Sequence, residues 1–451
     1  MLFRSSLDET YERILKGINK AQKEDARRLL QCLTVAARPL RVEELAELLA
    51  FDFQATSNRG IPTLREDWRW NNHEQAVLST CSSLIAIVRD GDSRVVQFSH
   101  FSVKEYLTSR RLASSGGDVS RFYVDLYAAH TILAQACLGT LLRLDEHSGN
   151  IVSEVFPLAE YAARHWVEHA QFEDVSSRVQ DGMNDLFDSS KPYFSAWLRV
   201  YDIDERWNLF LGKDDCVGSP LYYASFCGFH DLADRLIMKH PEQVNALGGI
   251  NVAPLPAALS KRHFRVADLL WKHGAIVDVK DVDGWTPLHA AGRSGSVNTI
   301  RWLLNHGANA MARSDRRRTP LHQAAFTAEL EAVRLLLEYK ADINLQDTYE
   351  DCTPLHDVLY WLYTPSEENV VEIVRRLLEH GADPNIRRRN GSTPLHQASS
   401  HGSLEVVRLL LSYGASIDEK DERGMTPLQV ASSGGHDELV KLLLEHGAVS
   451  P

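Results

Sequence analysis

A ten-residue phrase recurs through the second half of the chain: TPLHAAGRSG at 286, TPLHQAAFTA at 319, TPLHDVLYWL at 353, TPLHQASSHG at 393 and TPLQVASSGG at 426. Two weaker copies, SPLYYASFCG at 219 and APLPAALSKR at 253, precede them, so successive starts lie 34, 33, 33, 34, 40 and 33 residues apart. A period of this length constrains the fold strongly, because one such unit cannot bury its apolar face alone and must stack on its neighbours. In each strong copy a Thr stands before a Pro, which suits a helix cap followed by the first helical position, where the missing Pro N–H is no loss. Leu288 and Leu321 then point into the stack. A second helix follows, as in LEVVRLLLSYG at 404–414, with Val406, Leu409 and Leu410 at helical spacing and Gly414 ending it. His289, His322, His356 and His396 recur once per unit. Stacking therefore spreads them along the array, where they are expected to form hydrogen-bonded bridges within and between units and not a metal site.

The pattern resembles the ankyrin repeat and covers Ser219 to the C-terminus. The resemblance implies an α-solenoid of about seven repeats with projecting hairpin fingers and a concave binding face. Two departures from the pattern supply candidate contact residues. The fifth repeat is longer by seven residues near LYWLYTPSEEN, which is expected to lengthen or bulge its inter-helix turn, and Trp361 and Tyr363 lie in that insertion. Two arginine triplets, Arg316, Arg317, Arg318 and Arg387, Arg388, Arg389, stand just ahead of TPLH phrases, on or beside the fingers. They could hold an acidic protein surface by charge-assisted pairing, against the plainer reading of solvated loops.

Upstream the chain reads as helices without a repeat. Ser6 and Glu9 have capping-box spacing, and Leu7, Tyr11, Ile14, Leu15 and Ile18 make one apolar face. ARRLLQCLTVAA supplies a second helix and RVEELAELLAF a third, with Leu45, Leu48 and Leu49 inward. SSLIAIVRDGDSRVVQFSH predicts two short strands about the turn Asp90-Gly91, and FSVKEYLTSRRL a closing helix. LDETYERIL, LLQCLTVAARPLRVEELAELLA, CSSLI and VVQFSHFSVKEYLTS together resemble the winged-helix segment of GPI inositol-deacylase-like proteins, which follows the NACHT nucleoside-triphosphatase domain in fungal STAND-type signalling proteins. Helices in AHTILAQACLGTLL and PLAEYAARHWVEHA continue the likeness to about residue 170. The expected organisation is a winged-helix domain over 1–115, a helical linker domain over 116–212 and an ankyrin domain over 213–451, mainly α throughout.

The resemblance implies that His100 stands where related NACHT receptors direct a histidine at the β-phosphate of ADP. No GxxxxGK[ST] phosphate loop occurs, however, so a hydrogen-bonded junction histidine is the default for His100. GxSxG and HExxH are absent too, and the chain is expected not to be an enzyme and to need no cofactor. A formal net charge of -12 and an acidic third helix argue against nucleic acid. No run of about eighteen apolar residues predicts a membrane span, and six scattered cysteines without CxxC pairs point to a reducing compartment, cytoplasmic or nuclear. The expected role is that of an adaptor binding a protein partner through the array, with signal transduction as its setting. The alternatives are a regulatory half of a NACHT ATPase acting with a separate nucleotide-binding subunit, or a fragment whose missing domain is encoded upstream. A helix beginning near Met1 leaves no room for that domain in this chain, and the last repeat, ELVKLLLEHGAVSP, reads as uncapped and open to self-association.

Overall fold

Leu40, Val42, Leu45 and Leu48 are buried around one short segment, and that burial organises the first part of the molecule. In the computed structural model, which describes residues 2–56, 60–69, 72–145, 155–204, 217–361 and 367–449, three helices α1 (Leu2–Gly17), α2 (Lys23–Val35) and α3 (Val42–Leu49) come first. A three-stranded sheet of order β1-β5-β4 follows from Leu40–Arg41 (β1), Ile85–Asp90 (β4) and Ser93–Phe98 (β5), with β4 and β5 paired antiparallel from Ile85↔Phe98 to Asp90↔Ser93. The turn falls where Asp90-Gly91 was expected, and Gly91 takes φ 57° there, a value costly for residues with a Cβ.

Three local readings are corrected. α1 starts at Leu2, four residues before the expected start at Ser6. A hairpin of β2 (Phe51–Thr56) and β3 (Pro62–Leu64) and a further helix, α4 (His73–Cys81), stand between α3 and the β4–β5 wing. The closing helix is broken into α5 (Phe101–Leu107) and α6 (Arg110–Ala113), because the Ser109 hydroxyl accepts from the Leu112 N–H at 3.3 Å and caps a new start.

The chain divides into two units, Met1–Pro220 with Cys227–Leu236, and Leu221–Phe226 with Ile237–Pro451. In the first, α7 (Leu126–Leu141) packs against α8 (Ala159–Ala170). Beside them Trp166 meets Trp197 edge-on at 5.4 Å and Phe187 at 6.1 Å. The Trp197 indole N–H donates to the Ala163 carbonyl at 3.0 Å, so its one polar atom is satisfied in a dry core.

The second unit is the solenoid. Inner helices begin at Pro254, Pro287, Pro320, Pro354, Pro394 and Pro427, each with Pro in the first turn. Outer helices such as Val297–Asn305, Leu330–Glu338 and Leu404–Ser412 run nine residues. The outer helix of the fifth repeat, Glu367–Glu379, runs 13, so part of the insertion extends that helix, and residues 362–366 lie outside the described ones. In the last repeat Leu442 and Leu443 are buried, which leaves Leu444 and Val449 as its exposed large apolar side chains among the described residues.

Candidate interaction surface

The repeat histidines are built into the frame. At Thr286, Thr319, Thr353 and Thr393 the backbone N–H donates to Nδ1 of the histidine three residues on, at 3.1, 3.1, 3.2 and 3.2 Å. Nε2 then reaches the next repeat: His289 bonds the Arg318 carbonyl at 2.9 Å, His322 that of Cys352 at 3.2 Å and His396 that of Met425 at 3.0 Å. One neutral tautomer, protonated on Nε2, serves every bridge. Burial keeps the rings neutral, pushing His322 down to about 3 and His356 to about 4. His356 follows the series more loosely: the Ser392 backbone of the next repeat acts on its ring, but the geometry at its buried Nε2 is poorer than in the other three.

Finger tips form a second ladder. Asp315 N–H donates to the Asp283 carbonyl at 3.0 Å, Thr348 to Arg316 at 3.0 Å, Arg389 to Glu350 at 2.9 Å and Glu422 to Asn390 at 3.1 Å. The fingers are thereby a continuous row, and this places both arginine triplets. Arg318 does not project. It lies 3.1 Å from Asp347 and 2.7 Å from Asp357, and both carboxylates are buried. Arg387 spans to Glu419 at 3.3 Å, Arg388 pairs with Glu350, and Arg389 lies 3.4 Å from Asp351. Two basic fingers are therefore not what the fold presents, because four of the six arginines are neutralised by carboxylates of neighbouring fingers. Arg316 and Arg317 are exposed and have no ion pair among the described residues. The Arg316 guanidinium lies 5.8 Å from the ring centre of Tyr349, itself 63% exposed.

Trp361 closes a short 3-10 turn, Leu359–Trp361, but its side chain and all of Tyr363 lie outside the described residues. The aromatic side chains that the structure does place beside the fingers are others. Arg318 covers Phe326 at 5.5 Å, Phe326 meets Tyr360 at 5.8 Å, and Tyr360 is 64% exposed. Reading the repeats in register would have found them, since Arg293, Phe326 and Tyr360 each stand four residues after the repeat histidine.

His100 caps α5: its Nδ1 accepts from the Ser102 N–H at 3.2 Å and bonds the Ser102 hydroxyl at 2.6 Å. It is exposed and tilts against Phe101 at 4.4 Å, so it is a cap at a surface and not a core residue. Glu44 and Glu47 on α3 point inward. Arg38 and Arg41 meet Glu44 at 2.6 and 2.9 Å, while Glu47 takes Arg69 at 2.6 Å and the Leu158 N–H at 2.6 Å. Although burial pushes the Glu44 carboxyl upward, Arg38 and Arg41 together hold it below its ordinary value. For Glu47 the desolvation wins, and its carboxyl is raised. Seven of the eight α3 residues are buried, so this acidic helix faces no solvent groove. α4, which leads into the wing, shows Glu74, Gln75 and Ser79 at its more open side, and Glu74 is paired with Arg94.

A buried chain of polar groups went unread in the sequence. Ala37 N–H donates to the Tyr161 hydroxyl at 3.1 Å, Tyr161 meets His169 Nε2 at 2.8 Å, and His169 Nδ1 meets His130 Nδ1 at 2.9 Å. Burial first, then the neighbouring histidines, drive His169 down to about 3. Among the described residues no group of three or more His, Cys, Asp and Glu could hold a metal ion, and no helix is long and apolar enough to cross a membrane.

The helical stack, its Thr-His frame and the finger ladder define an ankyrin-repeat array, and α2 to α5 with the wing define a winged helix. Comparison with known families agrees: residues 221–314, 257–347 and 362–450 match ankyrin repeats, and residues 11–117 match the GPI inositol-deacylase winged helix domain. Among curated proteins, the azaphilone pigments biosynthesis cluster protein L of Monascus ruber is 33% identical over 290 residues, 60% of this chain and 60% of that protein. The ankyrin repeat protein nuc-2 of Neurospora crassa is 33% identical over 184 residues, 41% of this chain and 16% of the relative. The human 2-5A-dependent ribonuclease is 41% identical over 63 residues, 14% of this chain and 8% of the relative. The chain thus spans less than two thirds of the length of each of these relatives.

Proposed function

We propose that the chain is a non-catalytic adaptor of STAND-type signalling that binds a protein partner through its ankyrin array in the cytoplasm or nucleus. The observation that carries this reading is the finger row, whose tips hold exposed aromatic and cationic side chains, Arg316 and Arg317 among them without an ion pair among the described residues. Residues of these types dominate the energetics of protein interfaces. Nucleic acid is a poor fit, since α3 is buried and the exposed side of α4 offers no cation. The test places a photo-cross-linking amino acid at Val282, Tyr349 or Arg423 of the full chain, expressed in a filamentous fungus. Adducts with one protein at finger positions, and none from Glu338 on an outer helix, are expected. Absence of adducts at every finger position would refute the adaptor reading.

A second reading, a regulatory subunit for a separate nucleotide-binding protein, draws on one observation. Phe101 is 71% exposed beside His100 at the start of α5, in the segment that matches the winged-helix family. Under it, Phe101→Ser abolishes association with a NACHT protein and leaves finger cross-links intact. Purified chain alone neither binds nor hydrolyses ATP under either reading.

A further inference from the structure

Five fingers share one left-handed position two residues before the helix-capping residue: Gly284 (φ 75°), Arg317 (φ 59°), Asp351 (φ 56°), Gly391 (φ 77°) and Gly424 (φ 76°). Glycine adopts this conformation freely, whereas a residue with a Cβ is strained there. Asp351 has a structural return for the strain, because its carboxylate pairs with Arg389 at 3.4 Å. Arg317 has none among the described residues. Arg317 thus places an exposed cation at a finger tip where three other fingers carry glycine.

The surroundings of Arg317 describe the ligand. Arg316 stands beside it over Tyr349, and Arg293, exposed on the preceding inner helix, also has no ion pair among the described residues. Asp315, the carboxylate next to these cations, lies against Gly284 of the neighbouring finger. Phe326 and Tyr360 add an aromatic floor reached from the finger through Arg318. The whole chain carries -12, so the exposed cations of this finger offer an acidic segment an attraction that much of the acidic surface does not. We infer that repeats three to five dock an acidic peptide segment bearing aromatic or branched aliphatic side chains, with Arg316 and Arg317 pairing its carboxylates and Phe326 and Tyr360 receiving its apolar groups. This rests on the adaptor reading and names the chemistry of the partner.

Selection of random 16-residue peptides displayed against the full chain tests the proposal, followed by fluorescence anisotropy of the enriched sequences. Enriched peptides should carry an excess of Asp and Glu with Phe, Trp, Leu or Ile between them. Arg316→Ser combined with Arg317→Gly should weaken binding about tenfold, and more at low salt than at high salt. Arg389→Ser should change it less than twofold. Arg317→Gly alone should leave the melting temperature unchanged or higher, which separates lost contact from lost fold. Neutral or basic peptides, or acidic ones indifferent to the double substitution, would overturn the assignment. Failure to enrich any peptide overturns it as well, but finger cross-links to a protein would then leave the adaptor reading standing.

Discussion

Replacing Arg318 by Met removes the cation between two buried carboxylates and keeps most of the side chain's length and apolar stem. Arg318 lies 3.1 Å from Asp347 and 2.7 Å from Asp357, with side chains 18%, 1% and 6% exposed. At an effective dielectric constant near 20, charges ~4 Å apart attract by about 4 kcal/mol, and leaving one buried partner uncompensated costs about 3–5 kcal/mol. Two features hold the loss to the lower end. Burial already pushes the Asp357 carboxyl up to about 7, so it can take a proton, and Asp347 keeps backbone N–H donors from Glu350 and Cys352, each at 3.1 Å. A loss of about 3 kcal/mol at pH 7 follows, equivalent to about a hundredfold in an opening equilibrium. It should grow between pH 7 and 8.5, where keeping Asp357 protonated becomes harder, and shrink toward pH 6. Hydrogen exchange followed by mass spectrometry on the full chain reads the opening locally, in peptides covering Pro320–Phe326 and Pro354–Val358, because stacked repeats couple mainly to their neighbours. A fall in protection below tenfold, or one that is the same at pH 6 and 8.5, would refute the buried-triad reasoning.

Other consequences are open to similar checks. His169, His322 and His356 are held at about 3 to 4 in the folded chain, below the 6.5 of an exposed histidine. Each contributes stability that is complete above pH 6.5 and is lost below it at about 1.4 kcal/mol per pH unit, so thermal melts should fall steeply from pH 6.5 to 4.5. Asp357, raised to about 7, runs the other way, since its ionisation penalty is relieved as pH falls from 7 toward 3.8, and Asp357→Asn should therefore steepen the acid loss of the array. Glu47→Leu strips Arg69 and the Leu158 N–H of their shared acceptor, and about 2–4 kcal/mol should be lost, read as faster exchange over Leu158–Trp166. Thr319→Ala removes a buried hydroxyl 2.8 Å from His322 Nδ1, and about 1–2 kcal/mol of local stability should go with it in urea titrations.

The repeat period exposed the solenoid because stacking forces every unit to place the same residue in the same environment, and an environment repeated seven times leaves a mark in the letters. Pro at the first helical turn and the Thr-His spacing were therefore legible down to the hydrogen bond. No such redundancy protects the winged helix. α4 carries little signal because its buried set, Ala76, Val77, Thr80 and Cys81, is small and includes a polar threonine, and nine residues give periodicity little length to accumulate. The Tyr161, His169 and His130 chain was invisible for a different reason. Its members come from two helices whose packing alone brings 130 next to 169.

The arginine triplets show where adjacency in sequence misleads about a shared surface. Three neighbouring residues in a tight finger do not face one way: the left-handed step at Arg317 turns the chain, and the Arg318 side chain lies over Phe326 of the inner helix. A partner for it was nevertheless written in the sequence. The strong phrases continue TPLHA, TPLHQ, TPLHD, TPLHQ and TPLQV, and the one acid in that register, Asp357, stands one repeat beyond Arg318, where stacking brings the two together. A charge that departs from a repeat consensus is thus best matched first against departures in the adjacent repeat, because the array offers it a buried partner at a fixed offset. Cations that such a search leaves unmatched, Arg293, Arg316 and Arg317 among them, are the candidates for meeting another molecule.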